Sequence, residues 1–300
     1  MSVYFPSLSS FPGPPEADAL IIIEAESPGV NDEMGDRADP HKAIREFSRL
    51  KSARPMLYSR TSERKTVMKE ILGCIKRSQQ EFHMIQDGDV VAVGLSGGKD
   101  SVTLLYALSL YRRFAPVSFE LKAITVDMGF EGFDLKTLAA FCRDIDVEFI
   151  PERTRLGEVI FEERKESNPC SLCSRMRRGI LHRVCRDAGA TKLALGHHGD
   201  DLLETFFMSM LYESRVNAFK AVTAFDRTEL IQIRPMIYAE ESQVREAARR
   251  HSLPVVTNPC PADKETKRRE TREALEGFLR QTGQPRSHLI RALCRSEIVL

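Results

Sequence analysis

The run VVAVGL, Val90 to Leu95, is apolar at every position. It is followed at once by SGGKDS and then by VTLLYALSLYRR, which reads as a helix. A strand with no polar face must be covered on both sides, the usual state of strands in parallel sheets packed between helices. The alternation continues along the chain. Expected strands are Val90–Leu95, Leu121–Val126, Val147–Ile150, Lys192–Leu195 and Leu230–Ile233, with a short extended piece at Pro254–Val256. Expected helices are Ser101–Arg112, Phe133–Ile145, Arg177–Ala188, Asp201–Tyr212 and Glu241–His251. This pitch of alternation implies an α/β fold, a parallel sheet with helices on both faces.

The turn SGGKDS carries more polar groups than a turn requires. A glycine-rich turn between a strand and a helix presents backbone N–H groups at a helix N-terminus, which is an anion site. Gly97 and Gly98 let the backbone come close to the anion, Ser96 and Ser101 offer hydroxyls, and Lys99 adds positive charge. Asp100 would repel a phosphate unless a cation sat between them, so its presence implies Mg²⁺. The spacing fits neither the Walker A pattern nor the dinucleotide fingerprint.

Seven cysteines at irregular spacing, in a chain whose N-terminal residues lack a secretory pattern, argue against a disulfide framework and for metal or catalytic use. Cys170 and Cys173 form a CxxC in NPCSLCSRMRRG, and Cys260 lies in a second Asn-Pro-Cys context, NPCPADKETKRRE. A lone CxxC fits redox chemistry, zinc or a cluster. Three thiolates with no evident fourth suit a [4Fe–4S] cluster with one iron open, and equally three unrelated structural or zinc cysteines.

GHHGDDLLETFF, from Gly196, follows an expected strand and so falls at the sheet edge where α/β proteins bind ligands. Asp200 and Asp201 there are candidates for holding Mg²⁺ or orienting substrate. Asp201 with Glu204 also has the spacing of a helix cap pair. His197 and His198 suit either structural hydrogen bonding or a contact to substrate.

The net charge of +1 hides two opposed segments. Residues 1–40 hold one basic residue, Arg37, and eight acidic ones, and residues 41–80 hold eleven Lys or Arg and three acids. The expected organisation is an acidic, proline-rich, disordered extension over 1–40 and a basic helical segment over 41–85, with its helix at 61–85. An α/β domain over 86–260 and a charged helical segment over 261–300 follow, the latter with a helix at 262–280. No run is apolar and long enough to span a membrane, and the reading is a cytoplasmic protein. Arg175, Arg177, Arg178, Lys264, Lys267, Arg268, Arg269 and the 41–80 segment are candidates for contacts with a nucleic-acid backbone.

SGGKDS resembles the PP-loop of the N-type ATP pyrophosphatases. That resemblance implies ATP cleaved between its α and β phosphates and a substrate adenylated. It implies a loop gripping pyrophosphate and the backbone around VDMGF, Val126 to Phe130, contacting adenine, with Asp127 in the nucleotide set. SGGKDS, PCSLCSRMRRG and GHHGDD in this order, then IRPMIY (Ile233 to Tyr238) and Cys260, resemble the tRNA 2-thiocytidine synthetase family from about residue 60 to about residue 280. The terminal zinc-finger cysteine pairs of the related 2-thiouridine enzymes have no counterpart here. The resemblance implies that Cys170, Cys173 and Cys260 ligate a [4Fe–4S] cluster. It also implies that Ser96, Gly97, Gly98, Lys99, Asp100 and Ser101 bind ATP and Mg²⁺, and that Lys99, Asp100, Asp200 and Asp201 are catalytic. The implied partners are tRNA, a cysteine-desulfurase-type sulfur donor and a second copy of the chain. Two features depart from the family pattern: Gly199 stands where a basic residue is expected, and the acidic extension has no place in it. A PP-loop adenylating ligase or amidotransferase with structural zinc cysteines is the alternative.

Overall fold

In a computed structural model of the chain, residues 67–163, 169–225, 230–260 and 266–300 are described. The acidic extension, the basic segment up to residue 66 and Lys264 lie outside these residues.

Six strands form one sheet: β1 Asp89–Gly94, β2 Phe119–Asp127, β3 Glu148–Arg153, β4 Lys192–Ala194, β5 Val222–Phe225 and β6 Leu230–Ile233. Their order is β3-β2-β1-β4-β6-β5. β1 pairs in parallel with β2 and β4, β2 with β3, and β4 with β6. The antiparallel β5 was not anticipated. Only residues 226–229 separate it from β6, and a parallel return needs a crossover of about a dozen residues or more. The sheet is therefore parallel with one antiparallel edge strand.

The period of two in β1 divides the core. Val91 and Val93 join a large apolar cluster on one face, and Ala92 joins a smaller one on the other with Ile124, Leu193 and Leu230. On the large side lie α1 (residues 67–82), α2 Lys99–Tyr111, α3 Leu135–Asp144 and α7 Glu241–Arg250, which contribute Ile71, Leu104, Leu138 and Val244. α5, Pro169–Asp187, covers the small side with Val184 and Cys185. A short helical turn, α4 Leu156–Glu158, runs into π-helical Val159–Glu163. α6 Gly199–Glu213, α8 Thr266–Thr282 and α9 Arg286–Cys294 complete the chain. The sheet with helices on both faces is as the sequence implies.

Two helix boundaries differ from expectation in ways that matter. α5 starts at Pro169 rather than Arg177, because proline at a first helical position loses no hydrogen bond. The CxxC therefore lies in the first turn, with Cys170 and Cys173 three residues apart on one face. α6 starts at Gly199, so Asp201 is its third residue and His198 is the cap.

IRPMIY serves packing. Met236 and Ile237 are fully buried, and Ser78 Oγ on α1 reaches Pro235 O at 2.8 Å. Tyr238 bonds Glu81 on α1 and lies beneath the Arg77 guanidinium, 4.0 Å from its centroid. Pro254–Val256 pairs with no strand, yet Val256 N–H donates to Gly97 O at 2.9 Å. This bond ties the segment leading to Cys260 to the SGGKDS loop.

The chain reverses direction across the sheet between β1 and β4, and in such sheets ligands bind outside the strand C-termini at that point. The loops after β1 and β4 both emerge there. α1 contributes a core side chain from outside the βα alternation, so the Ile71→Ala variant is expected to lose about 2–5 kcal/mol in urea unfolding, as for a fully buried residue.

Candidate active site

The loop after β1 takes its shape from two serines and two glycines. Gly97 has φ +83°, and a Cβ there would lie 3.1 Å from Val256 Cβ. Ser101 Oγ accepts from Ser96 N at 3.1 Å, donates to Gly98 O at 3.0 Å and lies 3.0 Å from Ser96 Oγ. Gly98 caps α2 without a side-chain bond, so the first N–H groups of the helix remain for an anion. Gly196, after β4, permits a close backbone approach: a Cβ would come within 2.9 Å of the Asp100 and Ser101 backbone.

A cleft of about 250 Å³ opens above this loop. Ser96 and Gly98 line one end, and Asp127, Met128, Phe130 and Phe133 give it a largely apolar wall. Asp127 Oδ1 accepts from Gly129 N at 2.9 Å, and its carbonyl accepts from Thr154 N and Oγ1, which fixes the turn after β2. Phosphates at the loop and a planar base against the wall are what such a cleft can take.

Lys99 Nζ lies 3.1 Å from Asp100 Oδ2 and 3.3 Å from Glu241 Oε1 at the start of α7. Burial works to lower the Lys99 pKa, but these two carboxylates outweigh it and hold it above the usual lysine range. Asp100 Oδ1 is sealed from solvent and accepts no hydrogen bond, although Lys99 Nζ is 3.0 Å away. His198 accepts from Asp201 N through Nδ1 at 3.4 Å, which places its ring proton on Nε2, 3.7 Å from Asp100 Oδ1. A buried carboxylate oxygen without a hydrogen bond, beside an anion loop, fits a Mg²⁺ ligand.

Asp200 and Asp201, expected as catalytic, are engaged elsewhere. Asp200 is 2% exposed; Oδ1 bonds Arg286 of α9 and Oδ2 accepts from Glu241 N at 2.7 Å. Asp201 Oδ2 accepts from His198 N at 3.0 Å as the return half of a capping box, and Oδ1 lies 3.5 Å from Arg268. These contacts fix both acids at the start of α6. Glu204, 1% exposed, holds Arg268 at 2.8 Å and Arg272 at 2.6 Å. Arg272 also reaches Glu241 at 3.5 Å, closing a chain of charges from Lys99 to α8. Glu241, Arg272 and Arg286 have no site role in the sequence reading, and Glu204 has only that of a cap partner for Asp201. The signal lay in Asp200/Glu204 and Arg268/Arg272, both at i,i+4 spacing on separate helices.

The expected RNA contacts divide. Arg268 pairs with Glu204 and lies 3.5 Å from Asp201, so its guanidinium is engaged within the protein. Lys267 sits over the Tyr212 ring at 5.1 Å, and Arg269 lies 3.9 Å from Glu273. Arg175 and Arg178 are exposed, and no described residue pairs with either. Gly199 has a local reason: α9 packs Ile290 where its side chain would be, with Cδ1 2.4 Å from a Cβ built there.

Cys170 is exposed, and Cys173 and Cys260 are half-buried. The Cys173 thiol is pushed up by burial first. Arg177 opposes this, and the nearby Cys260 and Cys170 add to it, so the three thiols are neighbours. Among the described residues no three His, Cys, Asp or Glu side chains close up on a single ion. A tetrahedral zinc needs sulfurs about 2.3 Å from the metal. Thiolates of three neighbouring cysteines can also ligate a [4Fe–4S] cluster with one iron open. Arg177, half-buried, has no ion pair among the described residues. Burial brings its pKa below the usual arginine range, and nearby Cys173 works against that shift. Arg177 also lines the cleft, so the cysteine face and the cleft share a wall.

A parallel sheet with an anion loop and a base-sized cleft at its switch point defines a PP-loop protein, and the PP-loop domain model matches residues 44–277. The chain is 36% identical over 228 residues to the tRNA-cytidine(32) 2-sulfurtransferase of Geobacter sulfurreducens, covering 75% of this chain and 89% of the relative. It is 38% identical over 210 residues to the enzyme of the same name from Syntrophotalea carbinolica, covering 70% and 80%. The U34-tRNA thiolase NcsA of Methanococcus maripaludis, solved with its [4Fe–4S] cluster, superposes with TM-score 0.64 at 25% identity, over 78% of this chain and 81% of that one. This chain belongs to the tRNA-cytidine(32) 2-sulfurtransferase family of PP-loop proteins.

Two outcomes follow from the charge chain. The Arg268→Ala/Arg272→Ala double variant leaves Glu204 buried without a partner and is expected to lose at least about 3 kcal/mol in denaturant unfolding. Burial would raise the Glu241 pKa, but Arg245, Lys99 and Arg272 bring it from 4.5 to about 2. Its folded pKa lies below the unfolded one, so its stabilisation is complete above pH 4.5 and lost as the pH falls towards 2. Glu241→Gln should show a shallower loss of stability than the parent across that window.

Proposed function

We propose that this chain is an ATP-dependent tRNA sulfurtransferase that converts cytidine in the anticodon loop to 2-thiocytidine. The observation that carries this is the cleft: SGGKDS at one end and, across Arg177, three neighbouring cysteines, in a member of a tRNA-cytidine thiolating family.

Cytosine O2 is a poor leaving group. Its attack on the α-phosphate of ATP releases pyrophosphate and makes O2 part of an adenylate, and AMP then carries the oxygen away as sulfur takes its place on C2. Ser96, Gly97, Gly98 and Ser101 hold the phosphates by backbone N–H and hydroxyl groups, with the N-terminus of α2 behind them. Lys99, kept charged by Asp100 and Glu241, turns to the pyrophosphate as negative charge develops there. The turn at Asp127 and the apolar wall orient the adenine. Asp100 would hold Mg²⁺, which supplies charge neutralisation to the phosphates when bound. Cys170, Cys173 and Cys260 would hold a [4Fe–4S] cluster, which supplies an iron open to a sulfur ligand when bound. His198 keeps Asp100 in place, and Asp200, Asp201 and Glu204 position the helices around it.

Arg175 and Arg178 contact the RNA backbone, together with the basic segment before residue 67. A target in a loop suits a base that must leave its stack. The sulfur donor is of the cysteine-desulfurase type, the working form is a dimer, and the setting is the cytoplasm. No helix among the described residues is long and apolar enough to cross a membrane.

The test is anaerobic purification followed by measurement of iron, acid-labile sulfide and zinc. About four irons and four sulfides per chain are expected. In Cys170→Ser the iron should fall and 2-thiocytidine should vanish from tRNA digests, while ATP binding by calorimetry stays. One zinc and no iron, with thiolation unchanged in Cys170→Ser, would overturn the sulfur-transfer reading in favour of an adenylating ligase.

A further inference from the structure

Beside the nucleotide cleft lies a second cavity of about 250 Å³, between α5 and the C-terminal ends of β1, β2, β4 and β6. Arg177 and Val126 line both cavities, so the two are neighbours across those side chains. Leu181, Leu193 and Leu195 give the second one apolar walls.

Two neutral polar groups inside it lack partners. His197 makes no hydrogen bond with any described residue, and its Nδ1 is sealed from solvent. The ring leans on Phe219, with centroids 5.2 Å apart. Burial and then Arg234 bring its pKa down to about 4, so near neutral pH the ring carries one N–H and one lone pair. Gln232 shares the α5 face of β6 with Leu230, two residues away. It is 5% exposed, and its amide also has no hydrogen bond among the described residues. Buried polar groups in native folds are paired, and a sealed, unpaired His197 Nδ1 in the same cavity as an amide left open to it points to a ligand.

The charged side chains that line the cavity, Arg177 and Arg178, are of one sign. Arg178 is exposed on α5 at its lining, and its field lowers the pKa of both Arg234 and His182. No carboxylate among the described residues pairs with Arg177 or Arg178. A free inorganic anion would satisfy the arginines but would leave the leucine walls and the neutral amide and imidazole unused. A nucleotide within a strand uses all of them: a flat apolar ring, a polar edge of neutral donors and acceptors, and a phosphate outside.

We propose that this second cavity receives the base of the RNA nucleotide to be modified, with His197 and Gln232 hydrogen-bonding its polar edge and Arg178 holding its phosphate. The assignment rests on the tRNA-modifying activity proposed above and adds a location and a reading group to it. The base then lies next to the cleft that holds ATP, with Arg177 between them.

The test uses full-length protein with ATP and two synthetic anticodon stem-loops. One carries cytidine at the position to be thiolated, and the other an abasic nucleotide there. Fluorescence anisotropy gives the affinities, and calorimetry gives ATP binding. The parent protein should prefer the cytidine loop, and Gln232→Met, similar in size but without the amide, should lose most of that preference. The expected change is roughly 5- to 100-fold, with affinity for the abasic loop and for ATP retained. Arg178→Gln should weaken both loops alike. His197→Leu is read in the same way if Gln232→Met no longer binds ATP. An unchanged cytidine-over-abasic ratio in a variant that still binds ATP, or equal affinity of the parent for both loops, overturns the proposal. Mass spectrometry of the cytidine loop scores the activity separately. Retained base preference without 2-thiocytidine supports the cavity and removes the activity, and product without base preference does the reverse.

Discussion

Glu204 is a carboxylate on the inner face of an otherwise apolar helix, and an ionised acid at 1% exposure requires a partner. It has two, Arg268 and Arg272, and these fix where α8 lies against α6. Arg272 extends to Glu241, and Glu241 extends to Lys99 in the phosphate loop. Arg286 of α9 repeats the device on Asp200 one turn away. The C-terminal helices thus dock through charge on the same residues that orient the nucleotide lysine. Removing both arginines from Glu204 leaves a buried charge without its counter-ion, a larger loss than the pair's net gain on forming.

One consequence concerns binding. Lys99 is held between two acids while its loop presents unused N–H groups. An arriving phosphate competes with Glu241 for the ammonium, and Glu241 keeps Arg245 and Arg272 when the lysine turns away. The acid is therefore never stranded, and the exchange costs little desolvation. Asp100 has no such reserve. Its Oδ1 is without a hydrogen bond, which is why a cation beside the phosphates suits it.

The strand–helix alternation was legible because β1 is apolar on both faces and the loops are marked by glycine and charge. The SGGKDS loop was legible for the same reason, since its polar groups exceed what a turn needs. β5 was missed because VTAF is short and its antiparallel pairing depends on the length of the loop that follows. α9 was missed because nine residues broken by arginines show little periodicity. The partners of Asp200 and Arg268 were not legible for another reason. A sequence shows that acids and arginines are present, but which acid meets which arginine is decided when α8 and α9 fold back on α6. Arg286, Glu241 and Gln232 carry no local motif, and only the tertiary contacts single them out.

Arg177 stands where these arguments meet. It lines both cavities, faces Cys173, and has no carboxylate among the described residues to neutralise it. A half-buried guanidinium so placed favours negative charge on any of three sides: a phosphate in the cleft, thiolate at the cysteines, or an anionic group in the second cavity. Burial, with Cys260 and Cys170, pushes the Cys173 thiol up despite this cation, so ligation must displace its proton. The positive charge becomes balanced when the cysteines are ligated as thiolates. If the cysteines, the cleft and the second cavity serve as proposed, a substitution at Arg177 would disturb all three at once. The reading of the second cavity is accordingly separable only through residues that do not line the first, which Gln232 and His197 satisfy.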